Sequence, residues 1–287
     1  HWKHRRQRQM CIRDRDDVGV IEENSTLTVS DGANANVTDT YDATGEHSGD
    51  VIHTSSTTHQ DTDIDVETLT VTAVRKGSVE GSGDAGTVGQ ALTGTYGQLT
   101  LNANGSYTYA ANQTAADALD AGDTVTDTFN YTVSDGTDTD IGTITITVLG
   151  INDDPVAQDD VGVIVEDGTL TVANGADATL TGSYDATGEN SGDIIDTSSS
   201  SHTDSDADAS SSLSITQIKK NGGSNSSVSS GSSYDSGGTS VTGTYGTLTI
   251  GADGSYTYAA TQDAADALDV GESATDVFVY TLSDLSL

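Results

Sequence analysis

The clearest structural pattern of the chain is in the stretch GTYGQLTLNANGSYTYAANQTAADALDAGDTVTDTFNYTVSDG, residues 94–136. Its apolar residues alternate with polar ones, so that Phe129, Tyr131 and Val133 share one side of an extended chain. A period of two is typical of a half-buried strand. The run Asn-Ala-Asn-Gly at 102–105 separates two such segments and has the composition of a hairpin turn. The stretch therefore predicts antiparallel β-structure.

A second version of this stretch, at residues 243–284, follows the first at an offset of 149. Further towards the N-terminus, DDVGVI at 16–21 returns at 159–164, and YDATGE at 41–46 returns at 184–189. Internal similarity of this kind indicates two copies of one structural unit. Each copy contains short alternating segments at regular spacing, which favours an all-β protein built of β-sandwiches.

The boundary between the copies is marked by the only proline of the chain, within residues 151–158. We expect a first repeat at 16–150, an acidic linker at 151–158 and a second repeat at 159–287. The second repeat ends before the counterpart of the strand predicted at 144–148, so we expect it to be truncated, with an unpaired edge.

The first fifteen residues differ in composition from the rest. Residues 1–15 hold six of the ten basic residues and the only Trp, Met and Cys. The run RRQRQMCIRD at 5–14 resembles the translation of one frame of a transposon-type sequencing adapter. We expect residues 1–15 to be an artefact and disordered, and exclude them from the fold. The alternative is a basic arm that serves as an interaction tail.

The chain is strongly acidic, with 45 acidic and 10 basic residues and a net charge of −35. This charge excludes binding of nucleic acid or of anionic membranes through bulk electrostatics. One Cys excludes a disulfide framework, and no apolar run approaches the about 20 residues of a membrane helix. Aspartate supplies 37 of the acidic residues, and it favours turns and ligates hard cations.

Four segments resemble known bacterial families. Residues 94–136 and 243–284 resemble the VCBS repeat of very large secreted adhesins and repeat-in-toxin proteins, while VGVIVEDGTLTV at 161–172 and NDDPVA at 152–157 resemble bacterial cadherin-like or Ig-like tandem domains. The resemblance implies tandem Ig-like β-sandwich repeats, secreted or at the bacterial cell surface and often stiffened by calcium. It also implies that neighbouring repeats of the same long chain are partners.

Alternating aspartates are the strongest candidates for metal ligands. They lie at equivalent places in the two copies: Asp61, Asp63 and Asp65, and Asp204, Asp206 and Asp208. Alternating carboxylates on a bent loop can converge on one ion, and calcium binds six to eight oxygens. The spacing of glycine and glutamate in an EF-hand is absent. A solvated acidic loop explains the pattern equally well from the residues alone, and the resemblance favours calcium.

A second candidate site lies at the junction of the copies. It contains the carboxylates Asp153, Asp154, Asp159 and Asp160. In cadherin-like tandems such ions take ligands from the linker and both neighbours, which would add Glu166 and Asp120. The alternative is an acidic linker that self-repulsion keeps extended.

The histidines and tyrosines are expected to be ordinary loop and core residues and not functional sites. His47, His53, His59 and His202 lie in polar loops, where solvated side chains are expected rather than zinc or catalytic sites. Tyr107, Tyr109, Tyr256 and Tyr258 could form an aromatic sugar-binding face, although such pairs in sandwiches usually belong to the packing.

Our leading hypothesis is a non-enzymatic extender module of a large extracellular adhesin, active in cell adhesion or biofilm and stiffened by calcium. The alternative is a carbohydrate-binding accessory domain of a secreted enzyme, with surface glycans or matrix as partners. A third hypothesis is acidic adaptation to high salt, which predicts that magnesium or sodium stabilises as well as calcium does.

Overall fold

The computed structural model describes residues 12–38, 45–55, 58–64, 67–184 and 188–284. The chain divides into two compact units, His1–Asn152 and Asp153–Leu287, named here unit 1 and unit 2. Among the described residues, no helix is long and apolar enough to cross a membrane. Asp65, one of the predicted ligands, lies outside the described residues.

Unit 1 consists almost wholly of strands. Its described elements are β1 (Ile12–Arg13), β2 (Asp17–Glu22), β3 (Thr26–Val29), β4 (Glu46–His47), β5 (Thr62–Asp63), β6 (Thr70–Lys76), β7 (Ala85–Gly86), β8 (Ala91–Thr93), β9 (Gln98–Leu101), β10 (Tyr107–Ala110), α1 (Thr114–Asp117), β11 (Thr124–Ser134) and β12 (Thr139–Leu149). They form one sheet of order β4-β2-β12-β11-β6-β7, a second of order β3-β10-β9-β8, and the pair β1-β5. The predicted all-β sandwich is confirmed.

The hydrophobic core of unit 1 lies between its two larger sheets. The four-stranded sheet contributes Leu101 and Tyr109, and the six-stranded sheet contributes Phe129, Ile144 and Ile146, all fully buried. The rings of Tyr109 and Phe129 meet edge to face with centroids 6.4 Å apart. Burial of each such side chain contributes about 1.5–3 kcal/mol, so the alternating residues hold the sheets together.

The two longest strands, β11 and β12, pair antiparallel along their whole length. Phe129 lies opposite Ile144, and the threonines between the apolar residues point away from the core. The far side of β12 pairs with β2 in parallel orientation, with Ile146 opposite Gly19. The first and last long strands of unit 1 are therefore direct neighbours.

A tight turn joins β9 and β10 where the sequence predicts a hairpin. Gly105 has φ of +90°, a conformation that residues with a Cβ rarely adopt. A Cβ at this position would also lie 2.4 Å from Asp50 Oδ1. Both the backbone conformation and the close approach of Asp50 therefore require glycine.

Unit 2 contains β13 (Gly162–Val163), β14 (Thr169–Val172), β15 (Glu189–Asn190), β16 (Leu213–Lys220), β17 (Ser226–Ser227), β18 (Thr239–Thr242), β19 (Thr247–Ile250), β20 (Tyr256–Ala259) and β21 (Phe278–Asp284). Its sheets have the orders β14-β20-β19-β18, β17-β16-β21 and β13-β15. A core that includes Leu170, Ile215, Ile218 and Ile250 lies among them.

The structure differs from the sequence analysis over residues 12–15, which we expected to be disordered. Ile12 is buried and pairs with Asp63 through β1 and β5, and the backbone N–H of Arg15 donates to Asp61 Oδ1. The strand pairing and the Arg15 hydrogen bond use backbone groups, which any sequence can supply, and the Ile12 side chain adds to the hydrophobic core. Residues 1–11 lie outside the described part of the chain.

Residues 153–158, expected to be linker, are hydrogen bonded within unit 2. The N–H of Asp153 donates to Asp208 Oδ2 at 3.0 Å, and Val156 exchanges two backbone hydrogen bonds with Ser205. These contacts fasten the segment to the loop before β16. Backbone pairing, which composition does not reveal, accounts for the difference.

Candidate cation-binding sites

A tyrosine hydroxyl lies between two buried carboxylates in unit 1. The Tyr131 hydroxyl is 3.0 Å from Asp17 Oδ2 and 3.1 Å from Asp61 Oδ2, and can donate to either. Asp17 Oδ1 accepts a hydrogen bond from the Ser48 hydroxyl at 2.8 Å. Asp17 opens β2, Tyr131 lies in β11 and Asp61 precedes β5, so three separate elements build the group. We name these three residues the unit 1 acid–tyrosine cluster.

Burial and mutual repulsion raise the pKa values in this cluster. Asp17 is 1% exposed and Asp61 is 3% exposed. Desolvation raises the pKa of Asp17 well above its ordinary value, and the charge of Asp61 adds to the effect. Desolvation also raises the pKa of Asp61 to about 8, against hydrogen bonds from Arg15 and Tyr131 that lower it. Such a pair favours uptake of a proton or a cation at neutral pH.

Asp14 brings a further carboxyl group to this end of unit 1. Its backbone N–H donates to Asp140 Oδ2 at 3.4 Å. Desolvation and the nearby Asp140 carboxyl raise the pKa of Asp14 to about 7. Unit 2 has Ala157 at the equivalent position, so this extra repulsion belongs to unit 1 alone.

Unit 2 repeats the cluster with equivalent residues. The Tyr280 hydroxyl lies 2.8 Å from the carbonyl of Gln158 and 3.1 Å from Asp204 Oδ1. Asp160 Oδ1 accepts from the Ser191 hydroxyl at 2.8 Å. Desolvation raises the pKa of Asp160 to about 7, and it raises the pKa of Asp204 as well. We name Asp160, Asp204 and Tyr280 the unit 2 acid–tyrosine cluster.

Several buried carboxylate oxygens near this cluster accept no hydrogen bond: Asp160 Oδ2, Asp206 Oδ2 and Asp208 Oδ1. The opposite oxygens are held: Asp208 Oδ2 accepts from the N–H of Asp153, Asp206 Oδ1 accepts from the N–H of Asp208 at 2.8 Å, and Asp160 Oδ1 accepts from the Ser191 hydroxyl. A buried polar atom without a partner costs about 1–3 kcal/mol, and more when it is charged. A bound cation would offset this cost, and donors that are all oxygen suit calcium. The chemistry of these donors therefore suits calcium, while their three ligand atoms do not all lie within 4.8 Å of one another.

In the part of the chain that the structure describes, the alternating aspartates do not form a compact group of three ligands, and their convergence on one ion stays a prediction. Among the described residues, ligand atoms of three acidic or histidine side chains lie within 4.8 Å of one another only in the group Asp31, Asp50 and His53. Asp204 Oδ1 accepts from the Tyr280 hydroxyl, while Asp206 Oδ1 accepts from the backbone N–H of Asp208. The two carboxylates therefore have different hydrogen-bond partners within the same loop.

The Asp31–Asp50–His53 group was missed by the sequence analysis, which treated His53 as solvated. His53 Nδ1 lies 3.3 Å from Asp31 Oδ1 and 3.4 Å from Asp50 Oδ1. Asp50 is fully buried, and its Oδ1 accepts the backbone N–H groups of Ile52 and His53. The recurrence of Gly-Asp at 49–50 and 192–193 was the available signal.

The remaining predicted ligands lie outside these groups. Asp154, Asp159 and Glu166 are exposed, and Asp63 lies in the short strand β5. Glu23, the equivalent of Glu166, is buried and its Oε1 accepts the backbone N–H of Ile151 at 2.6 Å. The geometry thus favours Asp160, Asp206 and Asp208 over the exposed carboxylates.

The tyrosines of the repeated motif are packed inside. Tyr107 and Tyr109 are at most 1% exposed, and Tyr256 is 6% exposed. The Tyr109 hydroxyl donates to Asp127 Oδ2 at 2.7 Å, and the same carboxylate accepts from the backbone of residues 95–97. In unit 2, Asp276 binds Tyr258 and residues 244–246 in the same way. These rings do not form the sugar-binding face that the alternative function requires.

Residues 33–150 match the family model of the bacterial cadherin-like domain. A comparison with curated proteins found no match. Among solved structures, the chain is similar to the endo-fucoidan hydrolase MfFcnA4 of glycoside hydrolase family 107, at 14% identity and a TM-score of 0.26, over 96% of this chain and 27% of that one. A variant of that enzyme gives 14% identity, a TM-score of 0.27 and coverages of 97% and 27%. This chain therefore spans about a quarter of their length, and at these scores the likeness carries no argument.

Proposed function

We propose that this protein is a non-enzymatic, extracellular adhesion-type module whose β-sandwich units act as spacers stiffened by calcium. The cadherin-like match over residues 33–150 supports the adhesion-type module. The observation that carries the calcium proposal is the set of buried carboxylate oxygens without hydrogen-bond donors at Asp160, Asp206 and Asp208. Neighbouring modules of the same long chain are its immediate partners, with surface glycans or matrix as further ones.

Calcium would supply positive charge, and the carboxylate oxygens that lack hydrogen-bond donors would coordinate it. In unit 2, Asp208 ties residue 153 to the loop before β16, and Asp160 ties the start of the unit to Ser191. An ion shared by carboxylates of this region would remove their repulsion and fix the loop against the sheet. In unit 1 the Asp17 and Asp61 carboxylates both contact the Tyr131 hydroxyl, and they would share an ion in the same way.

The test is calcium titration of the chelator-treated full chain, by isothermal calorimetry and by thermal unfolding. We expect saturable heat and a higher melting temperature with calcium than with magnesium at matched ionic strength. An absence of both heat and stabilisation would contradict the proposal. Equal stabilisation by magnesium would support the acidic adaptation to salt instead.

A matched pair of variants locates the site. Asp208→Asn keeps an acceptor for the N–H of Asp153 but removes the charge, whereas Asp154→Asn removes a charge from an exposed position. We expect Asp208→Asn to lose much of the calcium-dependent rise in melting temperature, and Asp154→Asn to keep it. An equal loss in both variants would indicate that calcium acts through net charge and not through this site.

A further inference from the structure

The Asp31–Asp50–His53 group lies on two loops of unit 1 that are hydrogen bonded to each other. Asp31 follows β3, whereas Asp50 and His53 lie in the segment after β4. The backbone N–H of Asp50 donates to the carbonyl of Ala33 at 3.0 Å, two residues beyond Asp31. The three side chains therefore come together on a backbone that is already held in place.

The distances within this group are those of metal ligands and not of hydrogen bonds. His53 Nδ1 lies 3.3 Å from Asp31 Oδ1 and 3.4 Å from Asp50 Oδ1. Both distances exceed the about 2.7–2.9 Å of a charge-assisted hydrogen bond. Two ligand atoms of a tetrahedral zinc ion lie about 3.3–3.4 Å apart, because the bonds of zinc to nitrogen and oxygen are about 2.0–2.1 Å long. The three ligand atoms all lie within 4.8 Å of one another.

The buried carboxyl group of Asp50 has an oxygen without a partner. Asp50 is fully buried, and its Oδ1 accepts the backbone N–H groups of Ile52 and His53 at 2.8 Å each. Its Oδ2 is also buried and accepts no hydrogen bond. A buried carboxylate oxygen of this kind is costly, and a bound cation removes the cost. The backbone donors orient the carboxyl group as outer-shell contacts orient a metal ligand.

The other two side chains of the group are open to solvent. The side chains of His53 and Asp31 are 43% and 58% exposed. Asp31 also lines an open surface cleft of mostly polar residues, including Asn102, Asn104 and Ser106. An ion can therefore enter from solvent, and water can fill the coordination position that three protein ligands leave open.

The imidazole nitrogen distinguishes this group from its equivalent in unit 2. Unit 2 has other residues at the three positions, in chain order Asn174, Asp193 and Asp196. Asp193 Oδ2 is again buried without a hydrogen bond, so this feature is common to both units. Oxygen donors alone suit calcium or magnesium, whereas an imidazole nitrogen suits zinc and related transition metals. The histidine of unit 1 therefore favours a different class of cation.

We propose that the Asp31–Asp50–His53 group binds a transition metal ion of the zinc class, through His53 Nδ1 and one oxygen of each aspartate. The bound ion links the loop after β3 to the segment after β4 and stabilises unit 1. The group shares no residue with the acid–tyrosine clusters. The proposal therefore does not depend on the binding of calcium.

The test is titration of the chelator-treated full chain with zinc, by isothermal calorimetry in saturating calcium. Calcium is present throughout, so that sites made only of oxygen donors are filled before zinc is added. We expect saturable zinc binding and a higher melting temperature of unit 1. His53→Ala should bind zinc at least about tenfold more weakly, and Asp31→Asn, which copies the residue of unit 2, should weaken binding as well. Both side chains are largely exposed, which preserves the fold of the variants.

The matched control is His59→Ala. His59 Nδ1 lies 2.7 Å from the carbonyl oxygen of Asp16 and belongs to no compact group of three ligands among the described residues. We expect this variant to keep the zinc affinity of the parent chain within about twofold. His1, His4 and Cys11 are present in every variant, so zinc bound by them cancels in the comparison. Absence of saturable zinc binding, equal affinity of His53→Ala and the parent chain, an equal loss in His59→Ala, or displacement of zinc by calcium would each overturn the proposal.

Discussion

Aspartates of this chain serve two opposite purposes. The Asp127 carboxylate is fully hydrogen bonded, because it accepts from three backbone N–H groups and from the Tyr109 hydroxyl. Asp206 and Asp208 instead keep buried oxygens that accept nothing. The Asp127 carboxylate needs no ligand. The unpaired oxygens of Asp206 and Asp208 carry a free-energy cost of burial that a bound cation would offset. The net charge of the chain therefore says little about where a cation binds.

Removal of the Asp127 carboxylate should destabilise unit 1. Asp127 is 4% exposed, and Asp127→Ala would leave the N–H groups of residues 95–97 and the Tyr109 hydroxyl without an acceptor. We expect a loss of about 3 kcal/mol or more in the free energy of unfolding, measured by urea denaturation. Asp276→Ala in unit 2 is the control, with a smaller loss because Asp276 is only half-buried. Equal losses would contradict this account.

The acid–tyrosine cluster of unit 1 should make stability depend on pH. Desolvation raises the pKa of Asp61 from 3.8 to about 8, so the folded protein retains a proton that the unfolded chain releases above about pH 4. Without divalent cations, the melting temperature of unit 1 should therefore fall between about pH 5 and about pH 8. Scanning calorimetry in chelator measures the trend, and Asp61→Asn should flatten it. A rise over this interval would refute the assignment.

At the scale of elements, alternation predicted the strands that build the core. A period of two in residues 125–133 and 144–148 predicts strands with one buried face. The strands β11 and β12 each have one buried face. The acid–tyrosine clusters could not be predicted from the sequence pattern, because Tyr131 contacts Asp17 and Asp61 across separations of 114 and 70 residues. Local alternation contains no information about such distant partners. The same reason applies to Asp31, which lies 22 residues before its contact His53.

The strand β12 should contribute heavily to unit 1. Ile146 is fully buried, and Ile146→Ala should lower the free energy of unfolding by about 2–5 kcal/mol, because it removes apolar contacts and leaves a cavity. Thr145→Ala, on the partly exposed face of the same strand, is the control and should change stability by less than about 1 kcal/mol. Comparable effects of the two variants would refute the packing described for β12.

At the scale of the whole molecule, the two units should differ in stability. In the described part of unit 2, β13 and β21 each pair on one side, and Phe278, Tyr280 and Leu282 of β21 are half-buried. We expect calorimetry of the full chain to show two transitions, with unit 2 unfolding at the lower temperature. Ile146→Ala should shift only the upper transition. Separate polypeptides of residues 12–152 and 153–287 that melt at the same temperature would contradict the prediction.

The parallel pairing of β2 with β12 has a mechanical consequence. The start of β2 and the end of β12 lie at opposite ends of their shared ladder, which runs from Asp17 opposite Ile144 to Glu22 opposite Leu149. Tension on the two ends of the unit therefore acts along the strands in shear. The hydrogen bonds of the ladder bear that force together and cannot open one at a time. Under traction, the unit resists extension through its first and last long strands, and forced unfolding begins with their rupture.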